Sequence, residues 1–246
     1  MTRDGSAMLL AGGLGQRMRA SGVDLPKPLV PVAGCTLLER NVARLLQQGF
    51  AEIHLALSAA VPEVRRYAEE AVLPLGARHG ARIVLWEETE PLGNIGPVGA
   101  LHGRTDELAV LFADNLTALD LRALLRRHRE ARPAMTLATH QHPIRLDYGE
   151  LGIDGDRVLS YTEKPVHRFT VSSGVYVLGP AALAHAARRG RLGASELVQG
   201  LLAEGEPIAS SPHSAAWIDI NEAGAIARAE ALVAADPAAF PTPGAL

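Results

Sequence analysis

The sequence predicts an α/β protein: a mostly parallel sheet flanked by helices, joined in its second half to a mixed-β portion. Short apolar runs at 7–10, 53–57, 82–86 and 109–113 alternate with helical patterns at 37–48, 62–71 and 119–131. Strands separated by helices pair in parallel and carry those helices on both faces. After residue 134 the texture changes to strand patterns at 135–139, 150–153, 157–161 and 175–178 with short connections. Between two of these, Asp154-Gly155-Asp156 is a hairpin signal.

Taken in order, the first strand runs into Gly12, Gly13 and Gly15, then Arg17, and then Lys27 between Pro26 and Pro28. Glycines remove the side chains that would keep backbone N–H groups from a phosphate. Arg17 and Lys27 supply fixed positive charge, and the two prolines stiffen the segment that presents the lysine. The dinucleotide fingerprint G-x-G-x-x-G is not met, because Met18 stands where its last glycine would fall. A phosphate loop of the G-x-x-x-x-G-K-[ST] type is excluded as well, since Gln16 and Arg17 follow Gly15. The turn 90–101 is rich in glycine (Gly93, Gly96, Gly99) and leads from the strand ending in Trp86, Glu87 and Glu88. The strand 109–113 ends in Asp114, and a carboxylate at the C-terminal end of a parallel strand faces the crevice where such sheets bind ligands. Glu163 and Lys164 precede Pro165, so they are expected at a strand end, where adjacent side chains need not face opposite ways. Asn221 reads as the N-cap of an alanine-rich helix at 222–235, and 240–246 as a frayed tail.

The 246 residues form one expected domain over 1–235, with a nucleotide-binding half (about 1–133), a sugar-phosphate-binding half (about 134–235) and a tail at 236–246. A formal net charge of −3 argues against a nucleic-acid partner. No apolar run approaches membrane-spanning length and residues 1–6 are polar, so neither a membrane span nor a secretory signal is expected. The single cysteine, Cys35, cannot form an internal disulfide and fits a reducing cytoplasm as a small buried apolar residue. The nine histidines lack H-x-x-x-H spacing and are read as surface residues.

The run G-G-x-G-x-R-M from Gly12 to Met18, followed by Pro26-Lys27-Pro28, resembles the signature of the sugar-1-phosphate nucleotidyltransferases. Four further segments match that family in the same order: 90–101, Val110 to Asn115, Leu146 to Gly149 with Tyr161 to Pro165, and Trp217 to Asn221. The Asp-Leu-Pro-Lys-Pro run and the Glu-Pro-Leu-Gly turn look most like heptose-1-phosphate and mannose-1-phosphate guanylyltransferases. The resemblance implies a Rossmann-like, GT-A-like nucleotidyltransferase fold and Mg²⁺-dependent transfer of a nucleoside monophosphate from an NTP to a sugar 1-phosphate. It implies nucleotide contacts at Leu10, Ala11, Gly12, Gly13, Gly15, Glu87, Gly93 and Asn94, with Gly96 and Gly99 also letting backbone approach base and ribose. Mg²⁺ falls to Asp114 and Asp219. The sugar phosphate falls to Gly149, Glu163, Lys164 and Ser173, and Arg17, Lys27 and Lys164 are the catalytic charges. Asn94, Ala113 and Asn221 depart from the family's usual threonine, glycine and glycine. GTP is favoured, with UTP, dTTP, CTP and ATP left open. A cyclitol or other non-sugar phosphate, a catalytically silent sugar-nucleotide-binding regulator, and a homo-oligomeric state also stay open.

Overall fold

The computed structural model describes residues 4–13 and 25–246. The first half runs β1 (Asp4–Leu10), a 3₁₀ turn at Lys27–Leu29, the short ribbon β2 (Pro31–Val32) and β3 (Cys35–Thr36), and helix α1 (Leu37–Gln47). It continues with β4 (Phe50–Ser58), α2 (Pro62–Tyr67), α3 (Leu73–Arg78), β5 (Arg82–Glu88), a 3₁₀ turn at Gly96–Leu101, β6 (Leu108–Phe112), β7 (Asn115–Thr117) and α4 (Leu121–Ala131). The second half holds β8 (Met135–Arg145), β9 (Glu150–Asp154), β10 (Arg157–Thr162), β11 (Val166–Leu178), α5 (Pro180–Arg189), α6 (Ala194–Ala203), β12 (Ile208–Pro212), β13 (Trp217–Asp219) and α7 (Ala223–Ala235).

The central sheet has seven strands in the order β12-β8-β11-β6-β1-β4-β5. β5, β4, β1 and β6 pair in parallel, β11 runs antiparallel to both β6 and β8, and β12 returns parallel to β8. The expected mostly parallel sheet with a mixed second half is therefore present. Alternation along β1 divides the core in two. Ala7 and Leu9 face α1 and α4, while Met8 and Leu10 face α5, α6 and the 3₁₀ turn at Gly96–Leu101. Helix starts follow local chemistry: the Thr36 and Asp120 side chains accept from Glu39 and Ala123 backbone N–H groups at 3.2 and 2.9 Å.

Three differences from the sequence expectation have physical causes. The helix expected at 62–71 continues to Arg78 through a π turn at Ala68–Val72, ahead of Pro74, which has no N–H for the α ladder. Helices α5 and α6, to which the sequence reading assigns nothing, cover the second face of the sheet through Ala182, Leu183, Ala186, Leu197 and Leu201. The end of the chain does not fray. Phe240 is buried in a third core with Val30, Val32 and Leu37, and its carbonyl accepts from the buried Arg40 guanidinium at 2.6 Å.

The outer halves of β8 and β11 and the β9–β10 hairpin form an arm on which no side chain between 141 and 170 is buried. The hairpin turns at Gly155, with φ +54°, as the Asp-Gly-Asp signal predicts. Among the described residues, no helix is long and apolar enough to cross a membrane.

Candidate active site

A cleft of about 780 Å³ opens at the C-terminal ends of β1, β5 and β6. The first strand delivers Leu10, Ala11, Gly12 and Gly13 to its lining, β6 delivers Phe112 to Asn115, and β13 with its following turn delivers Trp217, Asp219 and Asn221. Gly15 and Arg17 lie outside the described residues.

The densest chemistry sits at one end of the cleft. Lys27 Nζ donates to Asp114 Oδ2 at 2.8 Å and to Asn221 Oδ1 at 2.6 Å, and Asn221 Nδ2 donates to Asp219 Oδ2. Pro28 is buried and seats the turn that carries the lysine. Asp114 and Asp219 meet because β7 and β13 pair antiparallel with Asn115 opposite Asp219, and Ile220 N–H donates to the Asp114 carbonyl at 3.0 Å. Asn221 is thus a side-chain bridge inside the site. The N-cap position of α7 belongs to Glu222, which corrects the expectation for Asn221.

The donor set suits a hard divalent cation. One carboxylate stands in the turn before β7 and the other at the end of its partner strand β13, and Mg²⁺ is commonly held by one or two carboxylates together with substrate phosphates and water. Among the described residues no group of three His, Cys, Asp or Glu side chains is arranged as an all-protein metal cage.

The opposite wall is built by β5 and the glycine-rich turn. Strand alternation turns Glu88 into the cleft lining, while Glu87 points out to Arg65 Nη1 at 2.6 Å. Glu87, expected at the nucleotide, thus stands outside the cleft lining, and its neighbour Glu88 stands in it. Burial pushes the Glu88 carboxyl above the usual carboxylate range, partly offset by the Leu92 N–H it accepts at 3.1 Å. Trp86 donates to His54 Nδ1 at 2.9 Å and packs in the core, away from the cleft lining. Gly93 and Asn94 do line the cleft, and Asn94 Oδ1 also accepts from Ala194 N–H at 2.8 Å, tying the turn to the start of α6. Gly96 and Gly99 answer to another neighbour than base and ribose. A Cβ at either would collide with backbone at 186–192, so these glycines let the turn pack on α5 and the loop after it.

Of the expected sugar-phosphate residues, none is in the cleft lining. Gly149, Glu163 and Lys164 lie on the arm. Gly149 faces the Tyr161 ring, whose hydroxyl donates to Glu163 Oε2 at 2.5 Å. Lys164 has φ +45° at the end of β10, the strand-end geometry expected ahead of Pro165. Ser173 is fully buried, with its hydroxyl between His140 Nδ1 at 2.8 Å and His213 Nε2 at 2.7 Å. Burial holds both imidazoles below the usual histidine range. The surface reading of the histidines fails more widely, since His54, His128 and His185 are buried too. Each has a polar partner within a few residues of a strand or helix end, a signal that histidine spacing does not carry.

Cys35 is buried, and burial pushes its thiol up to about 11. Nucleophilic thiol chemistry is thereby disfavoured, since the thiolate is the reactive form. Native protein at neutral pH should react with iodoacetamide at least tenfold more slowly than the unfolded chain; equal rates would contradict the buried thiol.

Residues 6–236 match the family described as nucleotidyl transferase. The D-glycero-alpha-D-manno-heptose 1-phosphate guanylyltransferase of Aneurinibacillus thermoaerophilus is 30% identical over 179 residues, covering 71% of this chain and 75% of its own length. The UTP–glucose-1-phosphate uridylyltransferase of Synechocystis sp. is 27% identical over 238 residues, covering 88% of this chain. This chain spans only 60% of that relative's length. Among solved structures, HddC from Yersinia pseudotuberculosis complexed with GMP-PN has a TM-score of 0.68 at 22% identity, covering 92% of this chain and 98% of its own.

Proposed function

The chain belongs to the nucleotidyl transferase family, and from that premise we propose that it joins an NTP and a sugar 1-phosphate to give an NDP-sugar and pyrophosphate. The observation that carries the reading is the gathering of Lys27, Asp114, Asn221 and Asp219 at one end of a cleft lined by the glycine segment 10–13. A sugar-phosphate oxygen attacks the α-phosphorus in line; the new P–O bond forms as the bond from the α-phosphorus to the pyrophosphate oxygen breaks. Both reactants are anionic, so positioning and charge carry the catalysis without a covalent protein nucleophile. Asp114 and Asp219 would hold Mg²⁺, which would supply charge neutralisation at the reacting phosphates. Lys27 stabilises the departing pyrophosphate, and the backbone at Gly12 and Gly13 lies along the phosphates; the parts expected of Gly15 and Arg17 fall outside the described residues. In this reading the nucleotide sits in the half spanning about 1–133. In the same reading the sugar extends from the cleft toward the arm, where Gly149, Glu163 and Lys164, near the outer rungs of β8 and β11, take it up.

GTP with a heptose or mannose 1-phosphate is the favoured pair, on two supports. Guanylyltransferases stand among the relatives. Glu88 also offers the cleft a carboxylate acceptor, and guanine presents adjacent N1–H and N2 amino donors on one edge, where uracil and thymine present one N–H. A reducing compartment such as the cytoplasm agrees with the buried free thiol of Cys35. The test is pyrophosphate release with Mg²⁺, using five NTPs against hexose, heptose and amino-sugar 1-phosphates. Release that requires GTP together with one sugar 1-phosphate is expected. Release with a different NTP would overturn the base assignment alone. Nucleotide binding without release across the panel would favour the silent regulatory reading.

A further inference from the structure

The ribbon formed by β7 and β13 ends in Asp219 and begins directly after Asp114, yet it is only three residues long on each strand. Two-stranded ribbons are marginal by themselves in water, so something must fix its position relative to the central sheet. One face is packed: Leu116 and Ile218, which pair across the ribbon, enter the third core with Val30 and Val32. The opposite face holds Asn115, next to Asp114 in sequence, and Trp217, two residues before Asp219. Both of these side chains end on the same atom. Asn115 Nδ2 and Trp217 Nε1 donate to the Ser173 carbonyl at 3.2 and 2.7 Å.

That carbonyl is free to do so because β11 leaves its ladder there. Ser172 pairs with Thr139 and Tyr176 with Leu137, so β11 spends two more residues than β8 between the same two rungs. Gly174 takes φ +67° within this bulge and packs against the Asn115 amide, where a Cβ would collide. Bulges next to ligand sites re-aim groups in this way. The bulge is in turn pinned by the Ser173 hydroxyl, held at 2.8 and 2.7 Å by His140 and His213. A hydroxyl has one proton to give, so at least one imidazole donates to it. His213 is itself fastened to β8 through its N–H on the Thr139 carbonyl at 2.9 Å.

We infer that Ser173 is a positioning residue, its carbonyl joining the segments that carry Asp114 and Asp219 so that the two carboxylates keep the separation a shared divalent cation needs. Groups that orient a metal's ligands without touching the metal typically contribute 10- to 100-fold in metal affinity. The inference rests on the two-carboxylate site proposed above, and a binding readout separates the failure of one from the other. Mn²⁺ uptake is followed by electron paramagnetic resonance, and folding by circular dichroism.

The unsubstituted protein should take up Mn²⁺, and Asp114→Ala should abolish that uptake. Ser173→Ala should weaken it about tenfold or more with the fold retained. His213→Ala, at a half-buried loop position, should act in the same direction. His213→Gln keeps an amide donor where Nε2 stands and should restore the original affinity, which a general loss of packing would not do. If the unsubstituted protein takes up no Mn²⁺, the two-carboxylate site falls and the role of Ser173 with it. If uptake is normal and both Ser173→Ala and His213→Ala match it, the role of Ser173 alone is overturned. Should Ser173→Ala fail to fold, the His213→Ala and His213→Gln pair decides the question.

Discussion

Lys27→Met should lower turnover by roughly 10²- to 10³-fold, the loss typical of one preorganised charge contact at a reacting centre. The lysine is held at 2.8 Å from Asp114 and 2.6 Å from Asn221, with its side chain only 12% exposed. Charge-assisted contacts of this length are among the stronger hydrogen bonds, and the chain supplies this one from a segment stiffened by Pro26 and Pro28. The substitution keeps the aliphatic stem and removes the charge. The fold should survive with a lowered melting temperature, because hydrogen bonds to charged groups are worth about 1.5–3 kcal/mol each and each kcal/mol shifts the melting temperature of a chain this size by about 2–4 °C. Steady-state pyrophosphate release and a thermal melt on the same preparation separate the two effects. Turnover within threefold of the parent, in a protein folded at the assay temperature, would remove Lys27 from the chemistry.

Gly93→Val should also lower stability markedly. Gly93 sits at φ +80°, and a Cβ there would drive into the Leu192 backbone. Left-handed backbone costs a residue with a Cβ about 1–2 kcal/mol, and overpacking typically adds about 1–3 kcal/mol. Together these predict a fall in melting temperature of roughly 5–20 °C, with weaker nucleotide binding because the turn at 92–95 must move. Gly13→Ala is the natural comparison, since Gly13 lines the same cleft but a Cβ on it meets nothing within 4 Å among the described residues. Its melting temperature should stay close to the parent. Equal melting of Gly93→Val and the parent would mean that the turn yields to Leu192 without cost.

These residues also show where sequence reasoning succeeded and where it stopped. The β–α alternation of the first half is legible because each strand there is a short apolar run and each helix an amphipathic one. Asp114 could be found because it ends such a run. Lys27 could be found because two prolines mark it. Glu87 and Glu88 are a different case: which of two adjacent carboxylates faces the cleft depends on strand register, and a shift of one residue exchanges the faces. Gly96 and Gly99 looked like places for a ligand to approach, but glycine only says that something comes near, and here it is the backbone at 186–192. Helices α5 and α6 escaped notice because neither ten-residue segment has a sharp polar face. Ser173 was expected at the sugar phosphate, yet its partners His140 and His213 lie 33 and 40 residues away. No local pattern reveals such contacts.

The pairing of Asn115 with Asp219 has a consequence for biosynthesis. Translation proceeds at roughly 5–20 residues per second, so the second carboxylate leaves the ribosome about 5–20 s after the first. During that interval the nascent chain already carries the glycine segment, Lys27 and Asp114, while β7 has no partner strand. A chain stopped before Trp217 would thus hold an incomplete centre, and the order of synthesis delays assembly of the two-carboxylate end of the cleft until β13 has been made.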